Sequence, residues 1–434
     1  MSEPSDPSAR GEPVVAGGEA FVLLDGGRRV RADPHHPGFY GNPYALYSAV
    51  HADAGARGAV PAFEWDDYGF WCFAGFDAVS ALLRDRRFGR APGLPERTDR
   101  IANWWETERW SLLAIDPPEH TQLRGLVNRA FLSRQVDKLR PRVAELADEL
   151  LGRITRGAPV DLLHDYAAPL PAVVIAELIG LPGTDARLLL DWSNRMVRMY
   201  MFAASADARA EIERDADAAA ADFSEYVRAA IADHRARPRD DLLTHMLETE
   251  VDGERLSDGE VIATAILLLN AGHEATVHTT GNAVRLILES GFDPADLFAT
   301  PAQAAATVEE CLRFDAPLHL FTRYALDHAA IDLGAGEWLT VEHGQQIGLL
   351  LAAANRDPRR FADPDRFDPF RADGGNVSFG SGIHFCIGAP LARIELETSL
   401  RAVFERFGDL ALAEPPAYRD IFHFHGLDQL LVTL

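Results

Sequence analysis

Apolar side chains recur along most of this chain at the spacing of one helix face. Between Arg134 and Ile154 they fall at Val136, Leu139, Val143, Leu146 and Leu150, and Gly157 stops the run. Pro141 inside that run predicts a break, with a fresh helix starting there. Ala208 to Ala236 is rich in alanine with alternating charges, which predicts a helix with one solvated face. The longest candidate is Ser257 to Glu289. Ser257 and Glu260 have the spacing of a capping box at its start, and Gly291 follows its end. Such a helix is roughly 50 Å long, enough to cross a whole domain. A further helix is predicted from about Ile387 to Phe407. Strand patterns are few: Phe70 to Ala74, Ile331 to Leu333, Gln346 to Leu351 and Leu430 to Thr433. The fold class is mainly α with small β-sheets.

The pattern lapses in three places. Ala91 to Pro95 reads as a loop. Asn355 to Phe370 mixes proline, aspartate, arginine and phenylalanine, and reads as an ordered irregular segment with aromatic anchors. Residues 1–20 are polar without an apolar signal core and read as a disordered tail. Residues 21–434 contain no repeat and no linker, and read as one large domain.

Composition narrows the classes. Hydrophobic residues make up 47% of 434, ample for a large core. The net charge of -24 argues against a general nucleic-acid binder and against adsorption to an anionic membrane. The most apolar long stretch, Val261 to Ala271, is too short to span a bilayer. Cys72, Cys311 and Cys386 are odd in number and widely spaced. They suggest no disulfide framework, and a reducing cytoplasm is expected.

The chemistry concentrates around Cys386, in Phe379-Gly380-Ser381-Gly382-Ile383-His384-Phe385-Cys386-Ile387-Gly388. Gly380 and Gly382 allow a tight turn whose N–H groups point at a sulfur. At the start of the following helix, the dipole and unpaired N–H groups favour a thiolate, the form that binds iron. A lone cysteine is otherwise most often a small buried hydrophobe. A zinc site built from His384, Cys386 and Cys311 would lack a fourth ligand and a paired Cys-x-x-Cys.

This segment resembles the haem-binding loop of the cytochrome P450 family, matching Phe379, Gly380, Gly382, His384, Cys386 and Gly388. The following Ala389-Pro390-Leu391-Ala392-Arg393 looks like that of soluble bacterial members. Further matches span most of the chain. Glu310 and Arg313 look like the family's Glu-x-x-Arg, and the resemblance makes Arg371 their third, structural partner. Asp116 to Arg124 is similar to the segment opening the haem-covering helix. His120 and Arg124 lie one turn apart and suit a carboxylate. The resemblance adds Arg323 and His384 as propionate ligands. Leu267 to Thr276 resembles the oxygen-binding helix. There Ala271 and Gly272 would let the helix approach the haem and leave room for dioxygen, and Glu274 would belong to the proton path. One departure stands out: Ala275 occupies the usual threonine position. Thr276 follows it, but one residue along a helix turns a side chain by about 100°.

The resemblance implies the family's single-domain fold, with haem b between the long helix and the cysteine-side helix. It implies a monooxygenase acting on O₂ and a small, largely apolar substrate, with electrons from a separate ferredoxin or flavodoxin and its NAD(P)H-dependent reductase. A peroxide-using or coupling enzyme of the same fold, or a haem sensor, stays open. The tryptophan-rich loop near Ile101 to Trp110, with Trp104 and Trp105, is expected to roof the substrate pocket. The stretch Trp192 to Phe202 is expected to form another wall. Leu267, Asn270, Phe321 and Phe424 are further lining candidates. Ala275 raises the expectation of a substrate oxygen completing the proton relay.

Overall fold

The structure is a computed structural model and describes residues 20–90, 94–130, 136–200, 205–251 and 253–434. The expected tail up to residue 19, the start of the Ala91 loop, the start of the Arg134 run, and Met201 and Phe202 lie outside the described residues. The helices used below are α1 (Tyr44–Arg57), α2 (Ala102–Glu108), α3 (Glu119–Ala130), α4 (Arg140–Arg153), α5 (Pro169–Ile179), α6 (Ala186–Val197), α7 (Ala206–Ala236), α8 (Asp258–Ser290), α9 (Pro301–Phe314) and α10 (Ala389–Arg406). No helix of the described residues is long and apolar enough to cross a membrane.

The chain sorts into two compact units. One comprises the described residues up to Gly89 together with Glu309–Gly382 and Ala417–Asp428. The other comprises Arg90–Val308, Ile383–Pro416 and Gln429–Leu434. Each unit draws on distant stretches of chain, so neither has a single boundary that composition would reveal.

The first unit is built on a seven-stranded sheet. Its strands are β1 (Val22–Leu24), β2 (Arg29–Arg31), β3 (Ala62–Trp65), β4 (Phe70–Phe73), β5 (Phe88–Gly89), β6 (Leu320–Ala325) and β7 (Gln346–Leu350), in spatial order β1-β2-β3-β4-β7-β6-β5. β7 runs parallel to β4 and antiparallel to β6, with Ile347 opposite both Trp71 and Arg323. Most of these strands are too short for an alternation pattern to register, and only β4 and β7 were expected. The core between sheet and α1 is aromatic: Phe39, Tyr47, Phe63, Trp65 and Phe422 are all buried.

A buried polar knot fastens the 417–425 segment to this core. Asp315 accepts hydrogen bonds from Tyr44 Oη at 3.0 Å and Tyr418 Oη at 2.6 Å, and His425 Nε2 lies 3.4 Å away. Tyr47 Oη lies 2.9 Å from His319 Nδ1. Paired in this way, the buried polar groups offset their desolvation cost. The knot also sets a bridge between Leu318 and Phe424.

The second unit is a stack of helices around α8. Ser257 caps α8 with both halves of the capping box formed, and Gly291 ends it at a φ of 75°. α8 packs against α5, α7, α6 and α10, and α10 also packs against α4. α10 begins at Ala389, two residues after the predicted start, with Gly388 as its cap. Ile101 to Trp110 is not a loop. A 3₁₀ turn at Asp99–Ile101 leads into the helix α2, whose first free N–H groups, on Asn103 and Trp104, are capped by Asp217 of α7 at 2.6 and 3.0 Å. Local sequence carries no trace of a cap supplied from another helix.

Glu395 sits inside α10, 2% exposed, and its Oε1 has no hydrogen-bond partner. Burial pushes its carboxyl up to about 8, against an ordinary value of about 4.3. A raised carboxyl stabilises the fold below its unfolded value, and that contribution is lost as pH rises through the folded one. The native protein should therefore lose thermal stability relative to Glu395→Gln between about pH 5 and 8. Parallel melting curves for the two proteins across that window would overturn this.

Candidate active site

The segment leading to Cys386 is held by charge. Glu310 and Arg313, one turn apart on α9, form a bidentate pair at 2.7 and 2.8 Å, and Arg371 Nε lies 2.9 Å from Glu310 Oε2. The first two side chains are 2% exposed. Arg313 spends its remaining N–H groups on the carbonyls of Asn355, Pro364 and Arg366. Arg371 donates to the carbonyls of Ala362 and Arg366. Two arginines and one glutamate thus pin the irregular segment that contains Phe361 and Phe367. Phe361 is buried, but Phe370 is 53% exposed and is no anchor.

From this brace the chain passes through Ser378, whose Oγ donates to Leu312 O at 2.7 Å. It enters the turn at Gly380 and Gly382, with φ of 70° and 73°. An added Cβ on Gly382 would sit 2.5 Å from Leu83 O, so only glycine fits there. Gly380 lies against the ring of Phe321. Phe379 is partly exposed. Arg323, in β6, is 3% exposed and donates to Thr322 O at 2.9 Å.

In the second unit Cys386 is partly exposed. Burial pushes its free thiol up, against the N–H groups of Gly388 and Ala389 and the charges of Arg124 and Arg393, which pull it down. The sequence reading weighed the N–H groups and not the desolvation, which prevails in the free thiol. Coordination to a cation reverses that balance, because a metal ligand is deprotonated as it binds.

Beside the cysteine turn lies a cationic corner. Arg124, on α3, donates to Phe385 O at 2.7 Å and to Asn128 Oδ1 at 3.0 Å, neither of them a carboxylate. His120, one turn earlier, is 1% exposed, and both ring nitrogens lack a hydrogen-bond partner. Its ring centroid lies 4.3 Å from that of His384, whose Nε2 is 3.9 Å from Asp116 Oδ1. Burial, then the nearby His384 and Arg124, hold His120 down to about 4 against the pull of Asp116. Buried donors left unpaired in this way are costly and point to a missing acceptor. A haem propionate is such an acceptor, so the residues present fit a haem.

α8 has an accessible window of its own. It is buried from Val261 to Leu269 except at Leu267, and from Thr276 to Val284 except at Val277. Asn270 to Ala275 have accessible surface, and Ala271 is the most open. The small residues divide their work. An added Cβ on Gly272 would meet Ile175 of α5 at 3.5 Å, so that glycine faces a neighbouring helix, and Ala271 faces the open side. Thr276 is buried and its hydroxyl is spent on Gly272 O at 3.2 Å, while Thr279 donates to Ala275 O at 2.7 Å. Glu274 remains partly accessible.

The lining candidates separate as well. Asn270 Oδ1 is buried without a partner. Trp104 is 2% exposed and its ring meets that of Tyr200. Trp105 is tied by Nε1 to Pro95 O at 3.1 Å. Phe424 stands at the bridge to Leu318. Sequence reasoning missed Glu108: Tyr200 Oη donates to its Oε2 at 2.7 Å, and burial pushes its carboxyl up to about 7. The unusual element is an acid among tryptophans in α2.

The sequence profile described as Cytochrome P450 matches residues 74–290 and 304–419. The chain belongs to the cytochrome P450 family. It is 38% identical to cytochrome P450 107B1 of Saccharopolyspora erythraea over 83% of this chain and 88% of that one. It is 35% identical to vitamin D(3) 25-hydroxylase of Pseudonocardia autotrophica over 91% and 94%. Among solved structures, the bacillaene polyketide synthase cytochrome P450 PksS of Bacillus subtilis 168 superposes with a TM-score of 0.79 at 31% identity, over 93% and 99% of the two chains. This P450 is therefore a haem oxidoreductase of the bacterial type, with the family's mainly α fold.

Removing one partner of a buried ion pair leaves the other charge unpaired, which costs about 3–5 kcal/mol. Arg313→Ala is expected to lower stability by about that amount. Urea denaturation of the two proteins checks this, and a loss under 1 kcal/mol, of the order of a surface pair, would refute it.

Proposed function

We propose that this P450 binds haem b through a Cys386 thiolate and inserts one atom of O₂ into a small, largely apolar organic substrate, the other atom leaving as water. The observation that carries this is buried His120, whose ring nitrogens both lack a partner, one turn from Arg124 beside the cysteine turn. His120, Arg124, Arg323 and His384 are assigned to the propionates. Phe379, Gly380 and Gly388 shape the loop around the thiolate. Bound haem supplies reductive activation of dioxygen, favoured by an electron-rich thiolate ligand.

The remaining work falls to the chain. Ala271 leaves room beside α8, and Glu274 carries protons inward. Thr276 keeps its hydroxyl on the backbone, so position 275 has no neighbour to replace the missing side chain. A hydroxyl or carbonyl on the substrate would hold water beside Glu274 in its place. This favours an oxygen-bearing metabolite, and the names of the vitamin D(3) hydroxylase and the polyketide P450 accord with that class. Leu267, Asn270, Trp104, Phe321 and Phe424 are assigned to the pocket, with Trp105 at its margin.

Electrons come one at a time from a separate ferredoxin or flavodoxin and its NAD(P)H-dependent reductase, in the cytoplasm. Exposed Phe385 and Ile383, with Arg124 behind them, are where such a carrier would dock. Residues 21–434 act as one catalytic domain.

The reduced, carbon-monoxide-bound protein should show the red-shifted Soret band of thiolate ligation, and Cys386→Ala should abolish it. Retention of that band in the variant would refute the assignment. A substrate analogue lacking its polar oxygen should uncouple NADH use from product, and Ala275→Thr should restore part of the coupling. Equal coupling with both substrates in the native enzyme would rule out the substrate's part in the relay.

A further inference from the structure

His278 lies one turn beyond Glu274 on α8, with its Nε2 3.6 Å from Glu274 Oε1. Its side chain is 3% exposed, and neither ring nitrogen has a hydrogen-bond partner. A core histidine normally finds partners for its nitrogens, because a buried donor or acceptor left unpaired is costly. The separation from Glu274 exceeds hydrogen-bond length but is within reach of one torsional adjustment or one bridging water.

The surroundings give the contact a direction. Glu274, His278, Asn282 and Arg285 follow one another at helical spacing and share a face of α8. Their exposure falls from 25% at Glu274 to 3% at His278 and 1% at Asn282. It rises again to 18% at Arg285 and to 46% at Glu289, the partner of Arg285 at 2.7 Å. A polar stripe therefore runs under cover from the accessible window of the helix to its outer end. His273 is a further titratable group close to both Glu274 and His278, and its Nε2 is tied to Ala168 O at 3.0 Å. That bond fixes the ring of His273 and leaves the stripe to His278.

We propose that His278 is a positioning residue for Glu274, orienting its carboxylate and resupplying it with protons from the covered side. This rests on the reading that Glu274 serves oxygen activation. In the step itself, a proton leaves Nε2 of the protonated ring for Oε1 of the Glu274 carboxylate, giving neutral imidazole and a carboxylic acid. Nδ1 keeps its proton throughout, and a hydronium ion arriving along the stripe re-protonates Nε2, leaving water. Alanine at 275 offers the carboxylate no hydroxyl, and His278 stands one turn along the same face.

The test uses haem-loaded enzyme with its redox partner and a turned-over substrate. His278→Phe fills the same space without nitrogen, and His278→Gln keeps a donor but cannot carry a proton. Both should lower product formed per NADH by about tenfold, less than the roughly 10²–10⁴-fold of a group that meets the reacting atoms directly, with hydrogen peroxide released instead. The double variant Glu274→Gln/His278→Phe should be no worse than Glu274→Gln alone, since the histidine acts through the carboxylate. Independently of turnover, the pH titration of the His278 ring proton, followed by NMR in the reduced carbon-monoxide form, should shift in Glu274→Gln. Additive losses, unchanged coupling in both histidine variants, or an unshifted titration would each overturn the proposal. Every protein is first checked for the thiolate Soret band. Loss of that band in the unmutated enzyme would strike the haem-thiolate reading itself, whereas a retained band with unaltered coupling strikes only the role of His278.

Discussion

Glu310 holds a full negative charge 2% exposed to water, and two arginines close over it. Burying three charges is expensive, and well-packed apolar residues of the same volume often stabilise a fold as much. What the cluster contributes is geometry. Arg313 and Arg371 reach four backbone carbonyls between Asn355 and Arg366, in a segment with no ladder of its own to satisfy them. Asn355 then takes the N–H of Val377 and donates to Ser378. The chain enters the Gly380–Gly382 turn already aimed, and Cys386 follows four residues later.

Charge distribution at the cysteine turn runs against that of the whole molecule. The chain carries -24, yet the charges acting on Cys386 are those of Arg124 and Arg393, with Asp116 the acid in reach of His384. In that corner His120 is kept neutral by burial and by its cationic neighbours. A bound carboxylate would relieve both penalties. Exposed Phe385 and Ile383 lie next to this corner along the chain, so apolar surface and the Arg124 guanidinium adjoin there.

α8 shows how one element serves packing and chemistry together. Its length and caps make it a rigid axis for the second unit, and from Val261 to Leu269 every residue but Leu267 is buried. The interruption from Asn270 to Ala275 opens a window without breaking the helix, because Ala271 is small and Gly272 is taken up by Ile175. Thr276, Thr279 and Thr280 bond back to carbonyls one turn earlier, which shields the backbone beyond the window and removes those hydroxyls from other use.

The bounds of α8 and the glycine turn before Cys386 were both legible from sequence. Each is decided by contacts within one turn: a capping side chain or a missing Cβ. The fold class followed from the same local periodicity, and the family from the spacing of its motifs. The rest needed the folded chain. α2 was read as a loop because its cap, Asp217, lies 113 positions from Trp104. The short strands of the first unit were missed because pairing partners, and not their own patterns, define them. The raised carboxyls of Glu108 and Glu395, the balance at Cys386 and the isolation of His278 depend on which groups exclude water from them. Sequence determines what a segment can form with its neighbours along the chain; desolvation and long-range partners exist only once the elements have packed.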